Sequence, residues 1–519
     1  MKYLYGLALI SCLVLWSSCR NDFESVSSTG NLEFSQDTVY LDTVFSNIGS
    51  STRTMKVYNR SSDDINIPTI QLAQGESSNY RLNVDGLPGK TFENILILAK
   101  DSIFIFIETT IDIENFPNPD NSFLYTDKIL FDAGGNQQDV DLVTLVQDAV
   151  FLFPEKFNDG TIETISLGVD PEGEEILIEG FYLEDDELNF TNEKPYVIYG
   201  YAAVKPNKTL TVDAGARVHF HSNSGILVAN QGSMKVNGEP SSDPELLENQ
   251  VIFEGDRLEP NFSDIPGQWG TIWLSQGSTD HEFSFLTIKN AIVGIWMDSN
   301  DGDRTLTMKD VQIYNSSNVG LLARTGDVYG ENMIINNSGQ TSLSCSLGGR
   351  YTFNHSTFAN YWRSSFRLFP AVSIDNVIQI NETETRAVDL IEANFNNCII
   401  FGNEQRELSL IEDSSAAFNF NFSNCLIRFE DPNGDFDDVP NYDFSNQNLY
   451  TNIVKNSDPV FLNTDINDMN IETENSAANG IGNTATANLV PVDANGTVRS
   501  LSAPDAGAFE SIIFPDPEE

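Results

Sequence analysis

Seven short segments decide the fold: FSFLTIKN at 283–290, MKDVQIYN at 308–315, YGENMIIN at 329–336, FNHSTFAN at 353–360, IDNVIQIN at 374–381, FNNCIIFG at 395–402 and FSNCLIRF at 422–429. Their first residues step by 25, 21, 24, 21, 21 and 27 positions. A unit of that size cannot bury its own apolar face, so stacked neighbours must supply the core, as in a solenoid. Apolar residues recur at the first, fourth and sixth positions, and the two-residue spacing in the second half is that of a strand. The eighth position reads Asn290, Asn315, Asn336, Asn360 and Asn381 in five successive units. Asparagine tolerates tight turns and bonds to nearby backbone, so this column is expected to be a structural ladder rather than a binding site. Cys398 and Cys425 share the fourth position and are expected to stack in the core as small apolar side chains.

Working outward, TLTVDAGARV at 209–218, GILV at 225–228 and PGQWGTIW at 266–273 fit the entry to the same coil. At the far end stand DPVF at 458–461, DANG at 493–496, Arg499 and PDAGAFE at 504–510. From about Pro195 to Glu510 the chain resembles bacterial right-handed parallel β-helix repeat proteins of pectin-lyase-like fold, and the asparagine column resembles their ladder. That family hosts lyases, hydrolases and non-enzymatic surface proteins, so the resemblance implies a fold and leaves the function open.

Before the repeats, from Asn31 to about Ala149, short strand-like runs such as 55–58, 103–107 and 140–146 are separated by turn clusters such as Ser61-Ser62-Asp63-Asp64. This pattern predicts a small antiparallel β-sandwich. The segment 52–59 followed by Ile65-Asn66-Ile67-Pro68 resembles the immunoglobulin-like domains near the start of bacterial surface proteins, which implies a stalk. The expected class is therefore all-β: a sandwich over 31–149, a right-handed parallel β-helix with its closing segment over 150–512, and an acidic tail at 513–519.

The chain begins with Lys2, an apolar run from Tyr3 to Trp16, and Ser17-Ser18-Cys19. That run is too short for a bilayer, which needs about 20 residues, so it reads as a signal peptide over 1–18. A cysteine just after the cut resembles a bacterial lipoprotein signal, although Trp16 stands where that family has Leu, Val or Ile. Leu9-Ile10-Ser11-Cys12 matches the box better, yet cutting there would leave an apolar stretch of only about nine residues. Cys19 is thus the expected lipidation site and membrane anchor. Residues 19–30 are polar and Ser-rich, as a flexible tether should be. Asp22 and Glu24 resemble the acidic signal that sends some Gram-negative lipoproteins to the outer surface, so the expected location is the outer membrane, facing outward.

With 28 basic and 76 acidic residues the net charge is 28 − 76 = −48. Such a surface repels nucleic acid, and it disfavours anionic polysaccharides unless a metal or a local basic patch intervenes. Three cysteines beyond the anchor, Cys345, Cys398 and Cys425, give no disulfide framework.

Three sets of residues qualify as sites. Asp310, Glu331 and His355 occupy the third position on successive units, where strands about 4.8 Å apart would set two carboxylates and an imidazole side by side. That would suit a retaining glycosidase pair or a shared-proton acid and base. The same position continues as Asn376, Asn397 and Asn424, however, which marks a turn, and no catalytic role is assigned. Asp298, Asn300, Asp301 and Asp303 offer hard oxygen ligands in one loop, so calcium is a candidate cofactor, off the EF-hand spacing. Tyr361, Trp362 and Arg363 fall in a turn region and are expected to expose an aromatic cluster for sugar rings. His219 and His221 lack further spaced ligands and read as structural. The expected function is a surface lipoprotein whose β-helix contacts a glycan or an envelope protein; the alternative is a polysaccharide lyase or glycoside hydrolase.

Overall fold

A computed structural model describes residues 25–116, 121–170, 172–243, 246–298, 300, 302–381 and 384–515. Cys19 and Asp301 lie outside the described residues. The chain divides between Asp148 and Ala149 into two compact units.

The first unit is a sandwich of a six-stranded and a five-stranded sheet. Its pairings are antiparallel except where Val26–Ser27 lies on Ile65–Leu72 and Gln138–Gln147 lies on Thr38–Phe45. Alternate residues of each strand point to opposite faces, and Val57, Ile67, Ile105, Ile129, Phe131 and Leu142 form its core. The sandwich starts earlier than the tether boundary expected at residue 30. Val26 and Ser27 already pair with Ile65 and Asn66, and the Ser28 hydroxyl donates to Asp132 at 2.5 Å.

The second unit is the parallel β-helix. Each coil visits three faces in turn. Face one holds ten strands, from Asn189–Phe190 to Tyr450–Thr451. Face two holds eleven, from Val150–Leu152 to Val454–Lys455. Face three holds ten, from Thr164–Val169 to Leu408–Ile411, and is parallel apart from its first strand. Inward side chains stack coil on coil in one continuous core. Phe353, Phe395 and Phe422 lie over one another, with ring centroids 5.3 and 4.8 Å apart. Cys345, Cys398 and Cys425 are free thiols buried in that core.

The register corrects two of the seven segments. Phe283 pairs with Met308, Met308 with Gly330, Gly330 with Phe353, Phe353 with Phe395 and Phe395 with Phe422. The third unit therefore starts at Gly330, one residue later than its aromatic Tyr329 suggests. A Cβ at Gly330 would stand 2.7 Å from the Phe353 ring, so the large neighbour takes the inward space and leaves this position to glycine. The segment at 374–381 is no unit at all. Ile374 belongs to face three, paired with Cys345 and Leu410, and Asn381 ends one strand of an antiparallel hairpin, Val377–Asn381 with Glu384–Ala387. Phe353 to Phe395 is a single coil carrying two insertions, the loop 361–371 and that hairpin.

The ladder shifts accordingly. Asn315 Nδ2 donates to Asn290 Oδ1 at 3.2 Å, and Asn337 Nδ2 donates to Asn315 Oδ1 at 2.7 Å. Asn336 instead pairs with Tyr314 and accepts from the Tyr361 N–H at 3.0 Å. Asn360 turns its amide to the Ser338 and Gln340 carbonyls, both at 3.0 Å. Asn381 takes no part.

Between Ile427 and Tyr450 no face-three strand forms, and Phe429, Phe436, Tyr442 and Phe444 pack against the core there instead; the last strands, Tyr450–Thr451 and Val454–Lys455, follow. The chain then returns along face two, where Met469, Ile471, Ala506, Ala508 and Phe509 cover Ile334, Ala359, Ile399, Phe401 and Leu426. Gly507 lies against face two in left-handed conformation, φ 95°, and a Cβ there would meet Ile399 Cδ1 at 2.6 Å. Among the described residues no helix is long and apolar enough to cross a membrane.

Candidate functional site

Asp310, Glu331 and His355 do not converge. Between faces one and two seven successive coils turn on one left-handed residue each: Phe285, Asp310, Asn332, His355, Asn397, Asn424 and Asn452, with φ between 45° and 54°. Asn332, not Glu331, stands between Asp310 and His355. Its amide donates to Asp310 Oδ1 at 2.9 Å, and its carbonyl oxygen accepts from Arg499 Nη2 at 2.7 Å. Glu331 lies one position earlier on face one, in an ion pair with Lys309 at 3.0 Å and accepting from the Tyr329 hydroxyl at 2.7 Å. His355 is fully buried, its Nε2 accepting from Asn397 Nδ2 at 2.8 Å. Burial, with the nearby Arg499 cation second, holds this imidazole down at a pKa of about 2, so it is neutral and a negligible base at neutral pH. Asp310 is pushed up to about 6 by burial, opposed by the hydrogen bond from Asn332. It lines a cleft of about 600 Å³ between face two and the returning segment, without an acid–base partner from the expected set.

The expected aromatic cluster is not exposed. Trp362 is buried, with its Nε1 donating to Ser365 Oγ at 2.9 Å. Tyr361 packs edge-on against Phe461 at 6.0 Å, and Arg363 is paired with Asp465. The returning chain packs on Tyr361 and pairs with Arg363, which stays exposed, contacts that sequence spacing could not show.

In the expected calcium loop Asp298 is engaged elsewhere. Asp298 Oδ1 accepts from Arg324 Nε at 2.7 Å and its Oδ2 accepts from Trp273 Nε1 at 3.2 Å. Asn300 closes a turn, accepting from the Gly302 N–H at 2.9 Å and donating to the Thr325 carbonyl at 2.7 Å. Among the described residues no group of three or more His, Cys, Asp or Glu is placed to hold a metal. His219 is buried and its pKa lowered, while His221 pairs with Asp256 at 2.7 Å.

Asp298 instead belongs to a groove on face three. Strand pairing lines up Leu227, Trp273, Trp296 and Leu322 on the outward side of four successive coils. The two indoles stack with centroids 4.8 Å apart and planes 13° apart, and the Arg324 guanidinium carbon lies 5.1 Å from the Trp296 centroid. Asp298 bridges Trp273 and Arg324, fixing the assembly. The hairpin of Thr164–Val169 with Glu175–Tyr182 contributes Ile165 and Leu167 to one side of the groove, and the 377–387 hairpin contributes Ile378 and Arg386. The open groove holds about 600 Å³; Trp273 is the indole that lines it, with Asn230 and Gln276 among its polar groups. An aromatic floor with a few placed amides and charges is the usual composition of a small-molecule site. The signal was present in the sequence as Ile272-Trp273-Leu274 and Ile295-Trp296-Met297, 23 residues apart, one coil. The contributions of Arg324 and Arg386 had no such signal.

No family model matches the chain and no curated protein matches it. Among solved structures it is similar to a family 123 glycoside hydrolase from Clostridium perfringens, at 11% identity and TM-score 0.16, over 22% of this chain and 26% of that one. It is similar to the PapD-like domain 7 of human CEP192, at 10% identity and TM-score 0.15, over 25% of this chain and 92% of that one. It is also similar to the periplasmic chaperone SfaE, at 12% identity and TM-score 0.15, over 29% of this chain and 83% of that one. At these TM-scores the likenesses carry no argument about function.

Proposed function

We propose that this protein is an exported lipoprotein, held to the outer membrane through Cys19 and facing outward, whose β-helix binds a glycan in the groove lined by Trp273. On this reading it belongs with the pectin-lyase-like β-helix lipoproteins, and its sandwich is an immunoglobulin-like stalk. The observation that carries the binding function is the Trp273 indole, backed by Trp296 and held by Asp298 in a groove that Arg324 and two hairpins also line. Indoles offer apolar surface to the C–H faces of a sugar, and the surrounding amides and guanidinium offer hydrogen bonds to its hydroxyls. The polysaccharide-degrading alternative needs two converging catalytic groups, and Asp310 stands without the other two.

The test is a glycan array probed with the chain that lacks residues 1–19, beside a Trp273→Ala/Trp296→Ala variant. Binding to a defined glycan class, weakened about tenfold or more in the variant, is expected, because truncating a buried aromatic anchor costs about 2 kcal/mol or more. No bound glycan, or equal binding by the variant, overturns the reading. New reducing ends or unsaturated products would establish the enzyme instead.

A further inference from the structure

We propose that the loop 363–370, inserted between faces two and three, is a prong that enters the apolar region of a lipid bilayer. Phe366, Leu368 and Phe369 are 84%, 75% and 49% exposed, three large apolar side chains within four residues. Between them Arg367 points the opposite way into a site that is closed to solvent. Its Nη2 donates to Glu407 Oε1 at 2.7 Å and its Nη1 to Glu407 Oε2 at 2.9 Å. Nη2 also reaches the Asn360 carbonyl at 2.9 Å and Asn403 Oδ1 at 2.7 Å. Glu407 takes the Ala371 N–H at 2.7 Å as well, and buried Trp362 secures the other end of the loop. The loop is thus pinned at both ends and in the middle, and its apolar tip is held outward rather than left there by slack.

Charge selects the occupant. From Asn332 to Ile374 there is no Asp or Glu, 43 residues and the longest such stretch in a chain with 76 acids. The tip itself carries no carboxylate that would have to be desolvated in hydrocarbon, and the acid beside its base, Asp465, is paired with Arg363 of the loop. A rigid convex prong needs no complementary pocket in a fluid bilayer, and its side chains pay little ordering entropy on entry because the backbone is already fixed. This prong is a contact independent of Cys19 and of the groove.

The test is flotation with neutral phosphatidylcholine vesicles, using the chain that lacks residues 1–19. Co-flotation insensitive to added salt is expected. A Phe366→Ser/Leu368→Ser/Phe369→Ser variant, which keeps Arg367 and Glu407, should partition about tenfold less or weaker still, with unchanged thermal unfolding. Failure of the unsubstituted chain to float, or equal flotation of the variant, overturns the proposal. A concentration-dependent dimer that the same variant abolishes would also overturn it by assigning the prong to a second copy.

Discussion

At the scale of single residues, the left-handed turn between faces one and two explains why polar side chains recur there. An L-residue pays about 1–2 kcal/mol for that conformation, least for Asn and Asp, whose side chains bond locally. Asn332, Asn397 and Asn424 hold the turn on three coils, and the returning chain satisfies their amides at the Val492, Asn483 and Ile481 carbonyls. Asp310 occupies the same turn as an acid, and its behaviour with pH follows. Its folded pKa of about 6 lies above the ordinary 3.8, so its protonated form favours folding below about pH 4, and that contribution is lost as pH rises through 6. Asp310→Asn keeps the turn and cannot ionise. It should exceed the parent in stability by about 2–3 kcal/mol at pH 7–8 and match it near pH 4, read from urea unfolding at each pH. His355 works in the opposite direction, destabilising the fold as pH falls, but it is common to both proteins and cancels in the comparison. An unchanged difference across the range would refute the assignment.

At the scale of elements, the coil is legible from the sequence and its insertions are not. Alternation of apolar residues and a step near one coil identify stacked strands, because each strand must bury one side against its neighbours. The slip at Gly330 arose because an inward position emptied by Phe353 carries no apolar label. The doubled coil from 353 to 395 arose because Ile374 to Asn381 imitates a unit while lying on another face. The closing segment was legible as residues but not as a role: Arg499 and the DAGAFE stretch read as a terminal signature, and folding shows what they do. Arg499 is 2% exposed, pairs with Glu510 at 3.3 Å and links the returning chain to Asn332. Replacing it with Leu leaves the Glu510 carboxylate without its counter-ion and takes a donor from Asn332 Oδ1 and the Ala508 carbonyl, which should cost about 3–5 kcal/mol in urea unfolding. A loss under about 1 kcal/mol would mean that the apolar cover alone holds the segment.

At the scale of the whole molecule, two cores lie in two units, and a net charge of −48 surrounds them. The anchor proposed at Cys19 gives a cellular prediction: Cys19→Ser should release the protein from membranes into the soluble fraction and abolish labelling by a fatty-acid analogue. Persistence of both in the Ser variant would remove Cys19 as the lipidation site. The amino-acid sequence by itself determined the all-β class, the stacked coils and the small sandwich ahead of them, because strand alternation and repeat length are local properties written along the chain. Only the tertiary structure decided which polar residues meet. Contacts across coils depend on register, and one inserted loop or one glycine moves a whole column. That is why the candidate trio of Asp310, Glu331 and His355 comes apart, while Trp273, Trp296, Asp298 and Arg324 are brought together.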